Sequence, residues 1–93
     1  MLIIRNTFTA KPGSASKLAK LMKDSTSDLP AKVRVMTDLV GNMNTVIMEM
    51  EVKDIGEFER MMKDYSDTPD RREKMKGYTD MYEQGKREIY QIL

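Results

Sequence analysis

The sequence predicts an α+β fold, a four-stranded antiparallel sheet with helices on one face. Apolar residues alternate with polar ones in four segments, the period of a half-buried strand. Between those segments they recur at i, i+3, i+4 and i+7, the period of an amphipathic helix. Turn-forming residues stand at the joints.

Residues 2–10 place Leu2, Ile4, Asn6, Phe8 and Ala10 on one face of a strand, with Ile3, Arg5, Thr7 and Thr9 on the other. Lys11-Pro12-Gly13-Ser14 is turn chemistry leading into a helix. In residues 15–25, Ala15, Leu18, Ala19 and Met22 form an apolar stripe, with Lys17, Lys20 and Lys23 outward. Ser25 to Pro30 is a polar connection. Residues 32–40 form a second strand, with Val33, Val35, Thr37 and Leu39 on one face and Lys32, Arg34, Met36 and Asp38 on the other. Gly41-Asn42-Met43-Asn44 tolerates positive φ and makes a hairpin turn to a third strand at 45–53. There Val46, Met48, Met50 and Val52 oppose Thr45, Ile47, Glu49 and Glu51.

Asp54 with Glu57 is a capping-box-like start, followed by Phe58, Met61, Met62 and Tyr65 at helical spacing. Ser66-Asp67-Thr68-Pro69 breaks that helix, and Thr68 with Pro69 restarts it as N-cap and N1. Met75, Tyr78, Thr79 and Tyr82 line the next helix, and Gly85 is its expected stop. Lys86 to Leu93 alternates Glu88, Tyr90 and Ile92 against Arg87, Ile89, Gln91 and Leu93, a closing strand. With right-handed crossovers, this β-α-β-β-α(α)-β order gives a ferredoxin-like sheet, one domain over residues 1–93.

Histidine, cysteine and tryptophan are absent from all 93 residues. Thiolate and imidazole metal sites are therefore excluded, as are Cys/His and Ser/His nucleophile arrangements. No metal and no cofactor is expected. Zero cysteine fits a reducing compartment. Sixteen basic residues against fifteen acidic ones make no electrostatic case for nucleic acid or an anionic membrane. The densest charge cluster, Asp70 to Lys74, mixes both signs and reads as a solvated helix face. No apolar run approaches the ~18 residues of a membrane span, and the N-terminus lacks signal-peptide character. The cytoplasm is the expected location.

The helices cover the face carrying Leu2, Ile4, Phe8, Val33, Val35, Leu39, Val46, Met48 and Met50. The other face carries Ile3, Arg5, Thr7, Arg34, Met36, Ile47, Glu49 and Ile89, half apolar and half charged. Such a face suits a second sheet better than plain solvent. Arg5, Arg34, Met36, Ile47 and Glu49 are the expected homodimer contacts. Arg34 and Glu49 read either as a cross-strand ion pair or as a charged network fixing interface register.

At this point the chain resembles the dimeric α/β-barrel superfamily, whose ferredoxin-like subunits pack sheet against sheet. The opening, Arg5-Asn6-Thr7-Phe8-Thr9-Ala10-Lys11-Pro12-Gly13-Ser14-Ala15, is similar to the first strand, Pro-Gly turn and helix start of antibiotic-biosynthesis monooxygenase-like families. Gly85-Lys86-Arg87-Glu88-Ile89-Tyr90 is similar to their last strand. The resemblance implies a homodimer and a site at the strand-one asparagine, Asn6. In the heme-degrading branch that asparagine works with a tryptophan and a histidine, which this chain lacks. Quinone-forming members use Asn, Trp, Tyr and Arg without metal or flavin, a set this chain supplies only in part.

Asn6 falls between Ile4 and Phe8 on the helix-covered face, where an unpaired amide costs about 1–3 kcal/mol. It is tied to backbone near the strand end or to a helix terminus, or else it contacts a ligand, and it is the candidate catalytic residue. Tyr65, Tyr78 and Tyr82 are candidate ligand contacts, or core aromatics with hydroxyls at the surface. Met48, with Met50, Met61, Met62 and Met75, lines an adaptable cavity or fills the core. The leading reading is a small ligand-binding homodimer or a cofactor-independent monooxygenase-like enzyme acting on an aromatic or hydrophobic compound. The alternative is a non-catalytic dimeric module. An RNA-binding sheet would need aromatics where the first and third strands carry Arg5, Thr7, Ile47 and Glu49.

Overall fold

The computed structural model describes residues 1–93, the side chain of Arg71 excepted. The elements are β1 (Leu2–Ala10), α1 (Ala15–Thr26), β2 (Lys32–Thr37), β3 (Thr45–Val52), α2 (Ile55–Asp67), α3 (Pro69–Lys74) and β4 (Tyr82–Gln91), with a 3-10 turn at Tyr78–Asp80 before β4. All strand pairs are antiparallel, in the order β2-β3-β1-β4. This is the ferredoxin-like α+β arrangement that the alternation and helical stripes predict.

Two apolar clusters join the helices to the sheet. Leu18 and Met22 of α1 pack with Ala10 and Val46. Phe58 and Met61 of α2 pack with Ile4, Met50, Val52 and Leu29. Met48 is half-buried and touches both clusters. Asp54 begins α2 by accepting the Glu57 N–H at 2.8 Å, and the Glu57 carboxylate accepts the Lys53 N–H at 2.8 Å. That closes the predicted cap with the reciprocal bond shifted by one residue.

The second strand ends at Thr37, short of the expected residue 40. Asp38 turns its carboxylate back onto the Thr45 N–H at 2.9 Å, which starts a wide loop in place of the tight turn. Leu39, expected in the core, is consequently 96% exposed. Gly41 and Asn44 close the loop at φ 140° and 63°.

The third helix is shorter than its apolar spacing suggests. It ends at Lys74, and Gly77, at φ 85°, supplies the left-handed residue that the sequence reading gave to Gly85. Pro69 does open α3, but the Thr68 hydroxyl points back to the Asp64 carbonyl at 2.8 Å and closes α2. Tyr78 lies in the 3-10 turn and Tyr82 begins β4, so neither sits on a third helix. Gly85 lies inside β4 opposite Phe8. A Cβ there would meet the Phe8 ring at 3.3 Å, so the close approach of ring and strand accounts for the glycine.

The closing strand also presents its other face. Ile89 pairs with Ile4 and Arg87 with Asn6, which puts both toward the helices. Glu88 and Tyr90 join Arg5 and Ile3 on the open side. Ile89, expected on the open face, is therefore reassigned.

Candidate functional site

The seam between the two apolar clusters holds a cavity of about 140 Å³. Sheet residues Asn6, Phe8, Met48 and Met50 floor it, and Met22, Ser25 and Met62 are among the helix residues above them. Tyr65, Met75, Tyr78 and Arg87 complete one side. The cavity exists because α1 and α2 each fill their own half of the sheet, leaving a gap above Asn6. Flexible methionines border much of that gap, so its shape can adapt.

Asn6 is 7% exposed. Its partner is neither backbone nor a helix end, as the sequence suggested, but a side chain. Arg87 donates from Nε to Asn6 Oδ1 at 2.8 Å. A guanidinium only donates, so the amide oxygen must face it and Nδ2 must point elsewhere. Among the described residues the Asn6 side chain has no other hydrogen-bond partner. Yet among the described residues no fully buried side-chain nitrogen or oxygen lacks one. Nδ2 therefore opens on accessible space, and Asn6 lines the cavity.

Arg87 extends over the Phe58 ring, 5.1 Å from its centroid, within cation–π range. Tyr78 is half-buried with its ring 5.8 Å from that of Tyr82. Burial, followed by the neighbouring Tyr82 and Tyr65, holds the Tyr78 hydroxyl above the usual tyrosine value, and Arg87 offsets part of that. Tyr78 thus stays a neutral donor across the physiological range. Tyr82 does not line the cavity; it stacks edge-on against Phe8 at 4.9 Å and supports the wall from behind.

Of the residues singled out in the sequence, the fold gathers Asn6, Tyr65, Tyr78 and Met48 around one space and sets Tyr82 behind it. Arg87 escaped sequence reasoning because it was read onto the opposite face. The register sets Arg87 opposite Asn6 and Gly85 opposite Phe8, a pairing that the alternation of the last strand alone does not reveal. Among the described residues no group of three or more His, Cys, Asp or Glu side chains is placed to hold a metal ion.

The open sheet face carries a separate polar network. Glu49, only 3% exposed, sits between its two register partners, Arg5 on β1 and Arg34 on β2. Arg5 Nε reaches Oε2 at 2.6 Å, and Arg34 reaches Oε1 through Nε at 2.8 Å and its terminal nitrogen at 2.6 Å. Burial pushes the Glu49 carboxyl up, but the Arg34 and Arg5 hydrogen bonds outweigh it and hold the group below its ordinary range. The Arg5 guanidinium also stands 5.2 Å from the Tyr90 ring, and the Tyr90 hydroxyl donates to Glu88. Met36 and Ile47 are register partners on this face. The recess here is only about 60 Å³ and is bordered by charges.

No family model and no curated protein matches the chain. Solved structures do. An uncharacterised NIPSNAP domain protein from Burkholderia xenovorans aligns over 100% of this chain and 95% of its own, with a TM-score of 0.86 and 15% identity. A NIPSNAP family protein from Agrobacterium tumefaciens aligns over 97% and 90%, with a TM-score of 0.85 and 9% identity. An antibiotic biosynthesis monooxygenase aligns over 100% and 99%, with a TM-score of 0.74 and 12% identity. The chain shares their fold. The monooxygenase-like resemblance of the opening strand is thus matched in architecture, together with NIPSNAP proteins that the opening motif did not suggest. No helix among the described residues is long and apolar enough to cross a membrane.

Proposed function

We propose that the protein binds a small aromatic or hydrophobic compound in the cavity beside Asn6, and that it does so as a homodimer joined through the open sheet face. The observation that carries the first part is the cavity itself, about 140 Å³ with an apolar floor and an amide N–H opening on it. An engineered apolar cavity of roughly 150 Å³ takes up benzene, so this space suits one aromatic ring. Core filling alone would have closed the gap over Asn6 with one more large side chain. The second part is supported by the buried Glu49 network and by Met36, Ile47 and Tyr90 beside it, apolar surface that a second sheet would cover.

Binding is tested by titrating the protein with monocyclic aromatics, followed by calorimetry. Met62→Trp, which fills the cavity from α2, should abolish binding while circular dichroism stays native. Binding that survives the filled cavity places the ligand elsewhere and defeats the reading.

A second reading extends the first. Asn6 Nδ2 and Arg87 both donate at the same side of an apolar space, and such donors stabilise an oxyanion. A bound phenolate held there could react with dioxygen without a cofactor. A phenol and one O₂ would give a quinone and one water, with the ring oxidised and oxygen reduced. The shared fold with an antibiotic biosynthesis monooxygenase is consistent with this. Stoichiometric oxygen uptake with quinone formation, lost in Asn6→Leu, supports it; uptake no faster than without protein leaves a binding protein only.

A further inference from the structure

Arg87 is the only charged residue among the described residues that line the cavity. Among the described residues no acidic side chain lines the space. Among the described residues Arg87 forms no ion pair; its partners are the neutral oxygen of Asn6 and the face of Phe58. Arginines on the open sheet face are treated differently, since Arg5 and Arg34 both meet Glu49. Nε of Arg87 is committed to Asn6, which fixes the plane of the guanidinium. Its terminal nitrogens have no protein acceptor among the described residues. Arg87 is exposed whereas Met22, Met50 and Ser25 on the same cavity are buried. The cation therefore stands at the mouth and the apolar walls lie deeper.

Resting on the binding role proposed above, we infer that the ligand is a small organic acid, with a ring-sized apolar body inside the cavity and a carboxylate at Arg87. Among the described residues the positive charge has no counter-ion, and a carboxylate would supply one through paired, charge-assisted hydrogen bonds. Asn6 Nδ2 adds a neutral donor deeper in the same space. Arg87 then determines specificity by charge, while the methionines set only size. The cavity of about 140 Å³ matches a body the size of one six-membered ring.

The test compares benzoate with benzamide, which share a ring and differ in charge, by calorimetry on the full chain. Wild type should bind benzoate roughly tenfold to a hundredfold more tightly, the range set by a hydrogen bond to a charged group. Arg87→Gln should bring benzoate down to the level of benzamide measured in the same variant. Arg87→Lys should recover part of the preference, because it restores charge without the planar fork. Equal binding of the two probes by wild type overturns this inference and leaves the cavity reading intact. A benzoate preference that persists in Arg87→Gln likewise overturns it. Absence of binding by both probes overturns the cavity reading and this inference with it. The wild-type comparison stands without any variant, so a folding defect in Arg87→Gln cannot mask the result.

Discussion

Arg87 and Asn6 face each other across the β1–β4 pair, and the Arg87 Nε donates to the Asn6 Oδ1 at 2.8 Å. One bond thereby orients two groups. It turns the amide nitrogen of Asn6 toward the cavity and anchors the guanidinium at its edge. The pair gives the sheet a polar point in a surface otherwise built from Ile4, Phe8, Met48 and Met50.

Replacing Asn6 with Leu separates stability from binding. The variant removes a buried amide, and Arg87 can turn to water because it is exposed. The melting temperature should hold or rise, since an apolar side chain suits the site better. Affinity for an aromatic acid should fall roughly tenfold with the loss of one donor and of the guanidinium anchor. Calorimetric titration and thermal unfolding measure the two effects. A raised melting temperature with affinity intact would make Asn6 a structural residue only.

Glu49 should make stability depend on acid. Its carboxyl is held below the ordinary range, so its contribution is complete above the unfolded value of about 4.3 and fades as pH falls through the lower folded value. Glu49→Gln should cost roughly 1–3 kcal/mol at neutral pH, the scale of hydrogen bonds to a charged group. The gap between wild type and variant should close at low pH. Urea unfolding at neutral pH and near pH 3 gives the comparison. A gap that is constant across that range means the charge of Glu49 contributes nothing.

Much of the fold was legible because its signals were redundant. Leu2–Ala10 alternates without interruption, and Asp54 with Glu57 marks the start of α2 in both sequence and structure. The candidate site was half legible. A polar Asn6 between Ile4 and Phe8 stood out by pattern alone, as did the methionines beneath the helices. Arg87 did not, because the last strand is apolar on neither face consistently. Ile89 and Tyr90 are adjacent and each is 45% exposed, so alternation there cannot choose a face. A one-residue change of phase moves every side chain across the sheet. Only the pairing of Ile89 with Ile4 settles it. Leu39 misled in a similar way. Its phase was right for the core, but the Thr45 N–H is taken by the Asp38 side chain in place of a backbone carbonyl, and the strand ends there.

The proposed homodimer predicts twice the chain mass by light scattering. Met36→Glu and Ile47→Lys, at paired positions on the open face, should each give folded monomers. These apolar positions are cleaner probes than a charge exchange between Arg34 and Glu49, which would leave Arg5 against a new cation. A wild-type monomer at the concentrations used for binding would end the interface proposal.

The methionines report on the cavity directly. Met22, Met48, Met50, Met62 and Met75 line it, whereas Met36 lies on the open sheet face and Met43 in the β2–β3 loop. In a spectrum of ¹³C-methyl-labelled methionine, saturating benzoate should shift the first group and leave Met36 and Met43 in place. Shifts confined to Met36 or Met43, or no shift at any methionine, would contradict a ligand site beside Asn6.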